Sequence, residues 1–137
     1  MKIEYKTELS QPEKDIINAG FAKHTGAAGA PPYNKETLNW LAYDSDTLVG
    51  AVTTDILWDW IYVDELWVCD ELRSQGLGTK LMQEVEQYAL SKSLSGIWLW
   101  TQDWQAAEFY EKLGYEKFTE FDDFPKGFKR IGYRRAF

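Results

Sequence analysis

The middle of the chain consists of short segments in which apolar and polar residues alternate, separated by polar turns. Leu38 to Tyr43, Thr47 to Leu57 and Ile61 to Val68 predict three consecutive strands, of which the first two form a hairpin around residues 44–46. A weaker alternation over Ile3 to Leu9 predicts a short first strand. The order indicates a run of mostly antiparallel strands.

Three segments carry helix signals. The first starts at Ser10, a favourable N-cap that is followed by Pro12 and Glu13 in the first turn. The second is amphipathic, with apolar residues at helical spacing from Leu77 to about Ser93. The third covers Ala106 to Leu113 and ends before a glycine. Helices therefore alternate with strands in the second half of the chain.

Three more strands complete the predicted fold. Gly96 to Thr101 is a short apolar segment, as expected when both faces of a strand are covered. Tyr115 to Phe121 and Lys129 to Phe137 are closing strands. The elements predict a mixed α/β domain with a central twisted sheet, and we expect residues 1–137 to form this single domain.

Composition narrows the classes of function. The net charge of −7 argues against a nucleic-acid partner, and it favours a cationic one or serves solubility alone. With one Cys and one His, neither a disulfide framework nor a structural zinc site is expected. No apolar signal segment or membrane span is apparent, so we expect a cytoplasmic protein.

The most informative local feature is the loop from Arg73 to Gly78, which lies between a strand and the amphipathic helix. Gly76 and Gly78 allow the backbone to approach a ligand closely. The unpaired N–H groups at the start of the helix favour an anion such as a pyrophosphate, and Arg73 can add charge-assisted hydrogen bonds.

Other interpretations of this loop compete. A glycine-bearing turn without a ligand has the same pattern. A Rossmann dinucleotide loop is disfavoured because Leu81 stands where the third glycine belongs. A P-loop is disfavoured because Gly78-Thr79-Lys80 reverses the required order of lysine and hydroxyl residue.

Two longer segments in the right order make the pattern recognisable. Glu65 to Met82 resembles the signature of the GNAT (GCN5-related) N-acetyltransferase superfamily, a strand followed by R-x-x-G-x-G and a helix. Trp104 to Tyr115 resembles its second element, A-x-x-F-Y-x-x-x-G-Y. The resemblance covers about Leu48 to Phe121 and is closest to small bacterial members. It implies a twisted, mostly antiparallel sheet of six to seven strands, splayed between the fourth and fifth, with three to four flanking helices.

The resemblance also implies an acetyl-CoA-dependent N-acetyltransferase that acts on a primary amine of a small molecule or peptide. In such enzymes a bulged strand, here Asp64 to Val68, and the following loop hold the cofactor. The matching cofactor-binding positions are Leu66, Trp67, Val68, Arg73, Ser74, Gln75, Gly76, Leu77, Gly78, Thr79 and Gln105. The alternative is a non-catalytic acyl-CoA binder or sensor of the same fold.

Two residues are candidates for the chemistry. Tyr110 occupies the position of the superfamily's general acid, which protonates or stabilises the leaving thiolate; packing against the sheet is its structural alternative. Strand parity places Glu65 and Trp67 on one face, where Glu65 can serve as the base or remain a solvated residue. Asp64 and the pair at 122–123 are further candidates for the base.

Several positions bear on the acceptor. Many members of the family have Asn where this chain has Asp103, and the resembling subgroup commonly has His where Phe128 stands. Aromatic residues near Glu65 either line a cation pocket or form a packed face, and these are Trp58, Trp60, Tyr62 and Trp67. We expect a cationic amine as acceptor, and the resemblance suggests a homodimer.

Overall fold

The computed structural model describes residues 1–137, which fall into two compact units, Met1–Asn34 and Lys35–Phe137. The first unit contains helix α1 (Gln11–Ala27). Its start is a capping box: the Ser10 hydroxyl accepts the Glu13 N–H, and the Glu13 carboxylate accepts the Ser10 N–H at 2.8 Å. The helix start predicted from the sequence is therefore confirmed.

The strand predicted over Ile3 to Leu9 is wrong. This segment has no regular structure, and the side chains of Ile3 and Tyr5 are 97% and 91% exposed. A strand requires a partner for its backbone hydrogen bonds, and this segment pairs with none of the six strands of the sheet. The weak alternation of its side chains does not replace that partner.

The second unit is a six-stranded sheet with two α-helices. Its elements in chain order are β1 (Lys35–Asp44), β2 (Thr47–Leu57), β3 (Trp60–Val68), a 3₁₀ turn (Asp70–Leu72), α2 (Leu77–Ser91), β4 (Gly96–Gln102), α3 (Ala107–Lys112), β5 (Glu116–Asp122) and β6 (Lys129–Ala136). The spatial order of the strands is β1-β2-β3-β4-β6-β5. Only β3 and β4 run parallel, which confirms the mixed, mostly antiparallel sheet. No helix in the chain combines the length and the apolar character that a membrane span requires.

The parallel pair at the centre of the sheet is short. Trp60–Val63 of β3 pairs with Gly96–Leu99 of β4, and the pairing ends there although both strands continue. Each strand keeps its outer partner, β2 or β6, beyond that point. The sheet is therefore open between the carboxyl ends of its two central strands.

A bulge in β3 lies at the start of this opening. Thr54 pairs with Val63 but its neighbour Thr53 pairs with Glu65, so Asp64 is an extra residue in the ladder. Such a bulge bends its strand and increases the local twist. The bulge expected between 64 and 68 is thus found at Asp64, where β3 leaves β4.

The core lies on the face of the sheet that α2 and α3 cover. One side of α2 packs against the inward side chains of the central strands, and the buried residues include Leu81, Met82, Val85 and Ala89 of α2, Ile61 and Val63 of β3, and Ile97 and Leu99 of β4. The opposite face of β4 carries Trp98 and Trp100, which are only half-buried. The expectation that both faces of this strand are covered is therefore wrong for these two residues.

The sheet depends on a close backbone contact at Gly96, the first residue of β4. A Cβ atom there would lie 2.5 Å from the carbonyl oxygen of Arg135 and 2.5 Å from the Trp60 ring. We predict that Gly96→Ala destabilises the fold by about 1–3 kcal/mol, because backbone and ring must both move. The free energy of unfolding in urea measures this.

The matched control is Gly20→Ala in α1. A Cβ atom at Gly20 has no atom within 4 Å, and the helical backbone favours Ala by about 1 kcal/mol. We expect no loss of stability from this substitution. If Gly96→Ala unfolds at the same urea concentration as wild type, the backbone contact does not constrain the sheet.

Candidate active site

A cleft of about 1180 Å³ begins where β3 and β4 part. One wall is the carboxyl end of β3, from Val63 to Val68, and the next is the loop and first turn of α2, with Leu72–Ser74 and Gly76–Thr79. The other side is formed by β4 and the segment after it, from Trp100 onward, and by α3. The two resembling segments of the sequence thus line one cavity.

The amino terminus of α2 faces this cleft without a cap. Gly76 is the N-cap residue, and no side chain accepts a hydrogen bond from the first turn. The first intrahelical bond is donated by the Lys80 N–H to the Gly76 carbonyl. The N–H groups of the three residues between them, 77–79, therefore remain available to a ligand. By contrast, Ser10 caps α1 with its own side chain.

The two glycines of the loop are required for different reasons. Gly76 has φ of +85°, a left-handed conformation that side-chain-bearing residues rarely adopt, although a Cβ atom would meet nothing within 4 Å. At Gly78 a Cβ atom would lie 3.4 Å from the ring of Phe109. The absence of a side chain at 78 thus lets α3 pack closely against the start of α2.

The loop side chains are only weakly held. The Arg73 guanidinium pairs with Asp70 at 3.1 Å, and its Nε donates to the Val68 carbonyl at 3.4 Å. Both members of this ion pair are mostly exposed, so it contributes little and exchanges readily for another anion. Gln75 is the one proposed cofactor-binding residue that does not line the cleft. Its side-chain amide donates to the Glu71 carbonyl at 3.1 Å instead.

The β3 wall has two chemically different faces. Leu66 and Val68 pack against the core, whereas Glu65 and Trp67 are exposed on the opposite face, which confirms the parity predicted from the sequence. Glu65 accepts a hydrogen bond from the Thr53 hydroxyl at 3.3 Å. Its carboxylate is therefore positioned across the β2–β3 ladder while it lines the cleft.

Tyr110 of α3 lines the cleft with a side chain that is only 6% exposed. Its ring lies within about 5–6 Å of the Phe109, Tyr115 and Tyr133 rings, at centroid distances of 5.1, 6.0 and 6.3 Å. This burial raises the pKa of the Tyr110 hydroxyl to about 12. The group is accordingly protonated throughout the neutral and mildly alkaline range.

Of the acidic residues considered as alternatives to Glu65, only Asp64 lines the cleft. The carboxylate of Asp123 accepts the Gly127 N–H at 3.0 Å and closes the turn between β5 and β6. Asp122 lies 3.8 Å from the Lys129 ammonium. The structure therefore brings Asp64 and Glu65 to the site and leaves Asp122 at the end of β5 and Asp123 in the turn that follows.

The two departures from the family pattern also have structural partners. The Asp103 carboxylate accepts the backbone N–H of Lys129 at 3.0 Å, which ties the end of β4 to the start of β6. This bond orients the carboxylate of a residue that also lines the cleft. Phe128 packs edge-to-face against Trp104 with 4.9 Å between ring centroids.

Gln105 lies in the turn that leads into α3. Its side-chain oxygen accepts the Gln102 N–H at 3.1 Å, and its own N–H donates to the Gln102 carbonyl at 3.0 Å. Gln105 therefore shapes the turn at the end of β4, where it also lines the cleft.

The aromatic surface differs from the one expected. Trp58 lies in the β2–β3 turn with φ of +52°, so it does not continue the strand face of Trp60 and Tyr62. Tyr62 instead packs on Trp98 with 4.5 Å between centroids. The cleft is also lined by Trp100, although both faces of its strand were expected to be covered. Its alternation with Leu99 and Thr101 was the signal that could have identified it.

Comparison with known proteins agrees with this geometry. A sequence model of the acetyltransferase (GNAT) family matches residues 9–115. The chain belongs to the GNAT family. It is 35% identical over 81 residues to blasticidin-S acetyltransferase of Streptomyces morookaense, covering 58% of this chain and 60% of that protein. It is 37% identical over 62 residues to thialysine N-epsilon-acetyltransferase of Bos taurus, covering 44% of this chain and 36% of that protein. The GNAT chain thus spans less than two thirds of these relatives.

Solved structures show the same fold over nearly the whole GNAT chain. An acetyltransferase from Bacillus cereus superposes with a TM-score of 0.82 at 23% identity and covers 98% of both chains. A Bacillus anthracis protein crystallised with acetyl coenzyme A gives a TM-score of 0.66 at 22% identity, covering 74% of this chain and 62% of that one. Arabidopsis thaliana Naa50, in complex with a bisubstrate analogue containing CoA, superposes with a TM-score of 0.64 at 22% identity, covering 72% of each chain.

Proposed function

We propose that this GNAT chain is an N-acetyltransferase that moves an acetyl group from acetyl-CoA to a primary amine by direct attack of the amine. The observation that carries the proposal is the uncapped start of α2, which faces the same cleft as the buried hydroxyl of Tyr110. One feature suits the diphosphate of a coenzyme, and the other suits the leaving group of a thioester.

The residues around the start of α2 fit a diphosphate. The first turn of this helix contains no acidic residue, so nothing there repels an anion. Three adjacent N–H groups and the positive end of the helix dipole favour phosphate oxygens. Arg73 lies shortly before α2 in the chain, and its ion pair with Asp70 is exposed. Its guanidinium can therefore leave Asp70 and bind a phosphate instead.

The opening between β3 and β4 fits the arm of the coenzyme. Beyond Val63 the strand β3 keeps its ladder with β2 but has no strand on its β4 side. Backbone groups along this open edge require hydrogen-bond partners, and the amides of a pantetheine arm can supply them. The opening therefore offers an extended ligand a strand-like set of contacts, with Leu66 and Val68 behind it.

Bound acetyl-CoA supplies an activated acetyl thioester. Tyr110 then serves the leaving sulfur as a hydrogen-bond donor. Its pKa of about 12 keeps the proton on the hydroxyl. Complete transfer from such a phenol to a thiolate with a pKa of about 8.5 is unfavourable by roughly 1,000-fold or more. We infer that Tyr110 stabilises the developing thiolate and that the final proton derives from the attacking amine.

The acceptor must reach the carbonyl as a neutral amine. Glu65 and Asp64 stand at the edge of the opening, where either carboxylate can attract the protonated amine and receive its proton directly or through water. Glu65 is the better base because the Thr53 hydroxyl fixes its orientation. This acidic wall favours an acceptor that is cationic at its reacting end.

The loop assignment predicts that Gly76→Asp weakens coenzyme A binding at least tenfold. The substitution adds a negative charge beside the diphosphate and strains a residue with φ of +85°. Isothermal titration calorimetry with coenzyme A measures the affinity.

Gly127→Asp is the matched control. Gly127 also has φ of +85° and open space for a Cβ atom, yet it does not line the cleft. We expect this variant to bind coenzyme A about as tightly as wild type. Equal affinities of all three proteins would show that the diphosphate binds elsewhere.

The role of Tyr110 predicts that Tyr110→Phe lowers kcat by about 10²-fold with little change in affinity for acetyl-CoA, since only the leaving thiolate loses its donor. Coenzyme A release with a panel of primary amines measures the rate, and product analysis confirms the acetylated amine. Tyr133→Phe is the control, because it removes a hydroxyl from the same cluster of rings. The Tyr133 hydroxyl donates to the Glu111 carboxylate at 2.8 Å, and Tyr133 does not line the cleft.

The outcomes separate enzyme from binder. Unchanged turnover in Tyr110→Phe would assign the donor to another group or to water. A wild-type protein that binds coenzyme A but acetylates no amine of the panel would instead be a non-catalytic acyl-CoA binder.

A further inference from the structure

Arg130 of β6 is a cation in contact with two aromatic rings. Its guanidinium carbon lies 5.0 Å from the centroid of the Trp100 ring and 4.6 Å from that of Phe124. It forms no salt bridge, whereas the neighbouring Lys129 pairs with Glu120 at 2.6 Å and with Asp122 at 3.8 Å. Arg134 on the same strand likewise forms no salt bridge, so Arg130 is distinguished by its place beside Trp100.

The position of Arg130 relates it to the cleft. It is paired with Gln102 at the end of β4, and Trp100, on which it stacks, lines the cleft beside the opening. Burial raises the pKa of the Tyr62 hydroxyl and the charge of Asp64 raises it further, whereas the charge of Arg130 and its hydrogen bond to that hydroxyl lower it. Arg130 therefore stands near the bulge, across the opening from the acidic residues of β3.

A guanidinium has five N–H donors, so a hydrogen bond to the Tyr62 hydroxyl leaves others for a ligand. Aromatic rings contact the faces of the planar group, and its N–H donors project from the rim. Contact with two rings also restricts the rotation of a long side chain, so less further entropy is lost when a ligand binds. An arginine fixed in this way suits bidentate hydrogen bonding to a carboxylate.

We propose that Arg130 binds a carboxylate of the acceptor, so that the substrate is an amine that also carries a carboxylate, such as an ω-amino acid or a lysine-like amino acid. This inference rests on the proposed function and specifies its acceptor. The acids Asp64 and Glu65 attract the amine at one side of the opening, and Arg130 holds the other end of the molecule beyond β4.

The spacing of the strands selects the length of the acceptor. The amine must reach the gap between β3 and β4, while Arg130 belongs to β6, the strand on the far side of β4. The paired strands β4 and β6 lie about 4.8 Å apart, and the unpaired gap between β3 and β4 adds to this, so the two sites are more than about 5 Å apart. Several methylene groups between amine and carboxylate span this distance, and the single carbon of an α-amino acid does not.

The test compares 6-aminohexanoate with hexylamine as acceptors for the full chain and acetyl-CoA. We expect wild type to have the higher kcat/KM for 6-aminohexanoate. Arg130→Gln should lower the ratio of the two kcat/KM values by about 10- to 100-fold, mainly through KM, and Arg130→Lys should fall between them because an ammonium lacks the planar fork. Unfolding temperatures verify that the variants are folded.

Arg134→Gln is the matched control. Arg134 lies on the same strand and its guanidinium stacks on Phe118 at 5.9 Å. Neither arginine lines the cleft, but Trp100, the ring beside Arg130, does and Phe118 does not. We expect this variant to keep the wild-type ratio. A purely structural role of Arg130 would lower activity toward both acceptors alike and leave the ratio unchanged, which would overturn the inference.

Failure of this inference differs from failure of the proposed function. If wild type acetylates both amines with equal efficiency, the carboxylate site is absent and the transferase activity stands. If wild type acetylates neither these two compounds nor any other primary amine, the proposed function and this inference both fail.

Discussion

The site depends on the early end of the pairing between the two central strands. Trp60–Val63 and Gly96–Leu99 form a parallel ladder of four residue pairs, after which β3 and β4 follow different partners. Each strand remains anchored on its outer side, so the opening is a fixed feature of a stable sheet. Backbone groups that face the opening have no strand to bond, and they need water or a ligand.

The bulge and the uncapped helix act together with this opening. Asp64 is the extra residue that bends β3 away, and it keeps Leu66 and Val68 on the core face while Glu65 faces the cleft. The loop after β3 then delivers the start of α2 to the same cavity. Because Gly76 has no side chain, the N-terminal amides that Ser10 satisfies in α1 are left for a ligand in α2.

Local patterns predicted local structure well. The residue range of β2, Thr47–Leu57, matches the prediction, since a β-branched segment bounded by a polar turn specifies a strand by itself. The capping box of α1 was recognisable for the same reason. The segment Ile3 to Leu9 failed because a strand needs a partner that no local pattern can report. Likewise, the aromatic residues from Trp58 to Tyr62 share one face only if the strand is unbroken, and the turn at Trp58 breaks it.

The candidate site was predictable where it consists of consecutive residues. The loop of 73–79 and Tyr110 follow from two linear segments, and the structure brings them to one cleft, with Gln75 outside its lining. Features that depend on the register of distant strands could not be foreseen. Trp100 meets Arg130 only because β4 pairs with β6, and Asp103 accepts a hydrogen bond only because the Lys129 N–H lies opposite it.

We propose that unpaired main-chain amides of this cleft bind the coenzyme through hydrogen bonds. A residue-resolved NMR titration of the full chain with coenzyme A tests it most directly. We predict that the amide resonances of Leu77, Gly78 and Thr79 shift most, together with those of residues 64–68. Saturable binding that leaves these amides unshifted, or no binding at millimolar coenzyme A, would contradict it.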